Sequence, residues 1–190
     1  MFLLTAFLLF SGLQAAAQES FNVKNFKMSV AGTSTLHDWE SEVTKVDAKA
    51  SLTTEGQSLK NINSLNLTIP ARSISSTKGR VMDNKTYEAL KADKHPNITF
   101  ALSSARLSGT NVTASGRLTI AGVTKNVNLT AAGRTDSAGN ITFKGSYTLQ
   151  MTDYGMEPPT ALMGSIKTGD QVTVKYELTL APSGTASTSK

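Results

Sequence analysis

Along most of the chain apolar residues recur at every second position. In residues 172–180, Val172, Val174, Tyr176, Leu178 and Leu180 share one face, and Thr173, Lys175, Glu177 and Thr179 the other. This is the period of a strand with one buried side, because successive side chains leave a pleated backbone on opposite faces. The same reading predicts strands over 141–151 (Ile141, Phe143, Tyr147, Leu149, Met151), 111–121 (Val112, Ala114, Leu118, Ile120) and 123–131 (Val127, Leu129, Ala131). Shorter runs follow over 97–103 (Ile98, Phe100, Leu102), 65–69 (Leu65, Leu67, Ile69) and 26–30 (Phe26, Met28, Val30). Between Trp39 and Leu52 the pattern starts with Trp39 and Val43 in phase, then shifts to Val46, Ala48, Ala50 and Leu52. A one-residue shift inside a long strand predicts a β-bulge.

Eight strands result, and the punctuation agrees. Ala121-Gly122 joins two of them tightly, "SAGN" at 137–140 marks a hairpin, and "TGDQ" at 168–171 precedes the last strand. One helix is predicted over 83–93, with Asp83 as N-cap, good helix formers through Lys91, and His95-Pro96 ending it. Eight antiparallel strands with one apolar face each must close into a barrel or stack as two sheets. The inward sets mix Phe100, Phe143, Tyr147 and Tyr176 with Ala48, Ala50, Ala114, Gly116 and Gly145. That mixture suits a tapering barrel with room for a small ligand, and it also suits jigsaw packing. The fold expected is all-β: an eight-stranded antiparallel barrel with one short α-helix between strands 3 and 4.

Composition narrows the compartment. Residues 2–13 are apolar but too short to span a bilayer, and Ala15 and Ala17 fit an A-x-A cleavage rule with Gln18 as the mature start. The expected organisation is a signal peptide over 1–17, one domain over 18–181 and a disordered, low-complexity tail over 182–190. The chain has no cysteine, which removes disulfides, thiolate metal sites and the thiol of a lipoprotein anchor. Export without these points to the periplasm, with secretion as second choice. The net charge of +5 is scattered, without the basic blocks and interleaved aromatics that read nucleic acid. It leaves a transient contact with a membrane surface open.

Candidate chemistry is sparse. "STLHDWES" at 34–41 holds one of two histidines beside an acid and the sole tryptophan. On a strand His37 and Asp38 would diverge, and no serine sits in a G-x-S-x-G elbow. A zinc site usually takes three protein ligands, and His37 and His95 supply two. Neither a catalytic nor a metal site is expected. Trp39 is placed at a barrel rim, where an indole can cover a ligand or seal the core while its N–H finds a polar partner. Asp38 is expected to satisfy backbone N–H groups of the turn.

In several ordered segments the chain resembles the YceI-like family of bacterial periplasmic lipid-binding proteins. They are "VMDNKTYEALKADKHPNITF" (81–100), "GRLTIAGVTKNVNLTA" (116–131) and "MTDYGMEPP" (151–159), within a match over about residues 21–181. It departs at the start, with "GTSTLHDWES" where members carry a Lys-His-Leu-Gly type segment. The resemblance implies a lipocalin-like barrel holding an isoprenoid or fatty-type lipid, without catalysis and with no cofactor beyond that lipid. The contacts then expected are the inward-facing Leu67, Ile69, Phe100, Leu102, Leu118, Ile120, Phe143, Tyr147, Leu149, Val174 and Tyr176, with Trp39 at the rim. Tyr154 and Met156 would join them from the apolar loop over 153–169. A ten-residue strand spans about 34 Å and, tilted by about 40°, gives a bore near 25 Å tall, so a long polyprenyl tail would fold back or protrude. The alternatives are an envelope protein with a solid core, acting through its surface, and an enzyme using His37 or Asp38. Oligomeric state is left open, a homodimer included.

Overall fold

The computed structural model describes residues 17–183. The expected signal segment, Ala17 apart, and residues 184–190 of the expected tail lie outside them. In chain order the elements are β1 (Ala17–Ser34), β2 (Trp39–Val43), β3 (Asp47–Glu55), β4 (Ser58–Pro70), β5 (Ile74–Ser76), α1 (Arg80–Ala89), β6 (Asn97–Ser108) and β7 (Asn111–Ile120). Then come β8 (Val123–Thr135), β9 (Ile141–Gln150), β10 (Thr160–Ala161) and β11 (Ile166–Pro182). Antiparallel pairing runs β1-β3-β4-β6-β7-β8-β9-β11, and β11 pairs back onto β1. The eight-stranded barrel is closed, with α1 between its third and fourth staves.

Several strands exceed their clean alternation, and bulges are the reason. In β1 the register against β11 shifts between Val23 and Asn25, so Phe21 and Val23 face inward in one phase and Phe26, Met28 and Val30 in the other. A shift between Ser51 and Leu52 separates Ile62 of β4 from Leu65, Leu67 and Ile69. A third, between Leu102 and Ser104, lets Ala105 and Leu107 continue β6. Each extra residue inverts the faces that follow it, so a strict period of two stops at the bulge. Beyond β11's Leu180, Pro182 still pairs with Phe21, and the Ser183 N–H donates to the Ser20 carbonyl at 2.7 Å.

Two local expectations are corrected. Between Val43 and Asp47 the chain is interrupted rather than bulged: β2 pairs with β1 and β5, whereas β3 pairs with β1 and β4. The helix starts at Arg80, after Gly79 (φ 87°), and ends at Ala89. Asp83 is therefore inside its first turn, and its carboxylate accepts the Ser76 N–H at 2.6 Å. His95 packs on the β7–β8 hairpin, where a Cβ on Gly122 would meet its Nε2 at 2.6 Å. Gly122 (φ 83°) and Ala121 (φ 49°) are both left-handed, as the two central residues of a tight hairpin turn require.

One end of the barrel is packed solid. Phe21, Leu52, Ile141 and Leu180 there are at most 1% exposed. Midway, aromatic rings lie on neighbouring glycines. A Cβ on Gly116 would fall 2.6 Å from the Phe100 ring and 2.5 Å from the Ala101 carbonyl, and one on Gly145 would fall 2.9 Å from the Tyr176 hydroxyl. Glycine is required at these points by close approach. The outer face is polar, with Lys144 paired to Glu177 at 3.1 Å and hydroxyl pairs Thr142–Thr179 and Thr148–Thr173 at 2.8 and 2.9 Å. A membrane-spanning barrel would carry an apolar band there.

Candidate functional site

At the other end the strands hold a cavity instead of a core. Its volume is about 370 Å³, within the range of about 300–1,000 Å³ common for small-molecule pockets. Val30, Ile98, Ile120, Leu149, Val172 and Val174 form the strand walls, one layer above Met28, Phe100, Leu118 and Tyr176. Those rings and the glycines beneath them make a floor, so the cavity occupies only the upper part of the bore.

The helix α1 forms the roof. Met82, Lys85, Thr86, Ala89 and Leu90 line the cavity, spaced three and four apart as one helical face demands. Lys85 is the charged member of that stripe, and its ammonium reaches across the opening to donate to the Thr160 carbonyl at 2.7 Å. Tyr87, turned aside, donates to the Arg72 carbonyl at 3.1 Å with the guanidinium 5.1 Å from its ring. Leu90 is buried, which fixes the helix to the barrel.

The rim contains the histidine–tryptophan stretch. Trp39 stands beside the cavity on Gly32, where a Cβ would come within 2.6 Å of the indole, and its N–H donates to the Thr33 carbonyl at 3.1 Å. His37 also lines the mouth, and its Nδ1 lies 2.9 Å from the Asp38 backbone carbonyl, away from the carboxylate. The turn is held by Ser34 in the role expected of Asp38. The Ser34 hydroxyl donates to the His37 carbonyl at 2.7 Å and accepts the N–H groups of Leu36 and His37 at 3.2 Å each. Among the described residues no carboxylate lines the cavity, and Lys78, Lys85 and His37 are its ionisable groups.

The connection from β9 to β11 divides into two halves. Met151, Tyr154 and Met156 turn inward and are buried. Beyond them Thr160–Ala161 pairs back onto Ile166–Lys167, and the knuckle between, Leu162-Met163-Gly164, has φ of 48°, 57° and 88°. Left-handed backbone costs about 1–2 kcal/mol for each residue that carries a Cβ, and Leu162 and Met163 recover none of it by burial.

A second groove opens in the barrel wall. Pairing of β8 with β9 covers only Ala131–Thr135 against Ile141–Gly145; above that the two strands part. Tyr147, Leu149 and Tyr154 fill the gap, bridged by Lys125, which lies 2.8 Å from Asp153 and 5.8 Å from the Tyr154 ring centre. Among the described residues the buried Tyr154 hydroxyl has no hydrogen-bond partner. Burial first, and then the neighbouring Tyr147, push this phenol well above its usual range. Where the ladder ends, the Tyr176 hydroxyl donates to the Thr130 carbonyl at 2.8 Å, and burial pushes its pKa up to about 12.

Of the side chains expected to touch a ligand, Trp39, Ile120, Leu149, Met156 and Val174 line the cavity. Phe100, Leu118 and Tyr176 form the layer directly beneath its lining, and Leu67, Ile69, Leu102 and Phe143 pack in or against the core without lining it. Tyr147 and Tyr154 line the side groove. The strand pattern does not distinguish these places, since the strand residues among them share the inward face. Sequence reasoning missed Met82 and Ala89 of the roof, although the spacing Met82-Thr86-Ala89-Leu90 was available to mark them. Among the described residues no group of three or more His, Cys, Asp or Glu side chains is arranged to hold a metal ion.

The YceI-like domain profile matches residues 13–180, nearly the whole chain. The chain belongs to the YceI-like family. Solved structures with the same fold include BcnA of Burkholderia cenocepacia (18% identity, 81% of this chain and 95% of that one, TM-score 0.65). A polyisoprenoid binding domain from Saccharophagus degradans aligns at 13% identity over 86% of this chain and 99% of its own, with a TM-score of 0.66. The YceI protein of Campylobacter jejuni aligns at 20% identity over 95% and 94%, with a TM-score of 0.57. No curated protein sequence matches significantly. At these identities the solved structures speak for the fold, and the YceI-like cavity of this chain must be read from its own residues.

Proposed function

We propose that this YceI-like protein is a non-enzymatic periplasmic carrier or store for a lipid with an isoprenoid or similar apolar tail, held in the cavity beneath α1. The observation that carries the reading is the cavity itself, roofed by Met82, Ala89 and Leu90 and walled by aliphatic side chains. The family and the polyisoprenoid binding domain among its structural relatives support the same class of ligand. The apolar stretch at residues 2–13, followed by an A-x-A site, supports export.

Desolvation supplies the affinity. An apolar cavity of about 150 Å³ takes one benzene ring, so about 370 Å³ takes roughly fifteen carbons, or three isoprene units. At about 0.8 kcal/mol per buried carbon the gross gain is at most about 12 kcal/mol, from which ordering and association costs of several kcal/mol are subtracted. A longer tail leaves its surplus outside, because Phe100, Leu118 and Tyr176 close the bore below.

The test is mass spectrometry of organic extracts from protein purified without detergent. Close to one long-chain lipid per protein molecule is expected. Extracts free of lipid, from protein whose cavity also refuses added farnesol, would reject carriage and leave a structural role for the barrel.

A further inference from the structure

We infer that the cavity rim is a docking surface for a phospholipid bilayer, with Leu36, Val81, Leu162 and Met163 as the inserting side chains. Among the described residues these are the large hydrophobic side chains left exposed, at 65%, 72%, 72% and fully so. They belong to three elements at the same end of the barrel: the β1–β2 loop, the first turn of α1 and the strap around β10.

Hydrogen bonds tie those elements into one continuous rim. The Thr35 N–H donates to the Lys167 carbonyl at 3.0 Å, and the Lys167 N–H returns to the Thr35 hydroxyl at 3.1 Å. Lys85 of α1 donates to Thr160 of the strap. The apolar side chains are thus held around the mouth by a fixed frame, with Lys78, Arg80 and Lys167 exposed on the same segments.

The strap gives the sharpest indication. Leu162 and Met163 are held in the left-handed region and point their side chains into solvent, so the chain accepts backbone strain to display apolar surface. Strain of this kind clusters at functional sites, which marks the strap as a contact surface. Apolar side chains gathered at one rim with basic residues beside them match the interface of a bilayer, where apolar groups enter the headgroup boundary and Lys and Arg stay among the headgroups. The bilayer is also where a lipid with an apolar tail resides, so docking the mouth against it places donor and cavity in line. Asp38 and Glu157 on the same segments offset much of the basic charge, so the apolar side chains carry most of the contact and added salt weakens it little.

The inference goes beyond carriage and fails separately from it. Co-sedimentation of the purified protein with phosphatidylethanolamine–phosphatidylglycerol vesicles, and with phosphatidylcholine vesicles, reads docking, and Trp39 emission, from the chain's sole tryptophan, reports the rim. Binding with a blue shift is expected. The double variant Leu162→Ser, Met163→Ser should bind vesicles roughly tenfold more weakly, a change of about 1.4 kcal/mol. It should take up farnesol from solution as before, since neither residue lines the cavity. No vesicle binding by the parent protein, undiminished binding by the double variant, or a dimer that the double variant abolishes would each overturn docking. Failure of the parent protein to take up farnesol would count against carriage, while the vesicle results still decide docking.

Discussion

The indole of Trp39 rests on Gly32 of the neighbouring strand, so closely that a Cβ there would come within 2.6 Å of the ring. The pair stands at the cavity rim, with the indole N–H fixed to the Thr33 carbonyl and one side of the ring available to a ligand. Gly32→Val should push the ring from its seat. Overpacking of this kind costs about 1–3 kcal/mol, read as a lower urea midpoint. Displacement of farnesol should become easier in the variant, whereas an unchanged Trp39 emission spectrum would show that the indole has another resting place.

Phe100 closes the floor over Gly116, so Phe100→Ala should extend the cavity downward. The loss of stability should be about 3–5 kcal/mol. The tail length of tightest binding, measured by calorimetry over a series of prenols, should move from about fifteen carbons toward twenty. A variant that loses stability with no change in length preference would place the limit elsewhere.

The barrel was legible in the sequence because eight stretches keep a period of two, and long strands were shortened where bulges invert the faces. Val23 and Phe26 are both inward yet three apart, and no local rule reveals the extra residue. The location of the cavity was not legible. Ile120 and Leu118 are alternate inward residues of one strand, and only their height relative to Phe100, Gly116 and α1 makes the first a wall and the second a floor. Likewise Leu162 and Met163 read as members of the same apolar loop as Tyr154 and Met156, whereas the fold buries the second pair and exposes the first.

Among the described residues the buried hydroxyl of Tyr154 has no hydrogen-bond partner, a state that costs about 1–3 kcal/mol. Tyr154→Phe should therefore raise the melting temperature, in contrast to most core substitutions. A clear fall on thermal denaturation would mean that the hydroxyl is satisfied in solution.

Stability should decline in alkali. Burial raises Tyr176 to about 12, and Tyr154 shifts in the same direction. Below pH about 10, the ordinary tyrosine value, both states are protonated and the contribution is fully present. From there to about 12 the unfolded chain releases the protons that the folded chain keeps, so stability falls as pH rises. Tyr176→Phe should flatten that slope in urea titrations across this range; an unaltered slope would assign the loss to other groups.

Occupancy of the cavity is tested most directly by filling it. Ile120→Phe and Val174→Phe place added volume between the strand walls and α1 without altering the rim or the outer face. Native mass spectrometry of the parent protein and the double variant, each confirmed as folded and incubated with farnesol, should show a one-to-one complex for the parent and bare protein for the variant. An equal one-to-one complex in both would contradict the claim that this cavity is where the lipid is held.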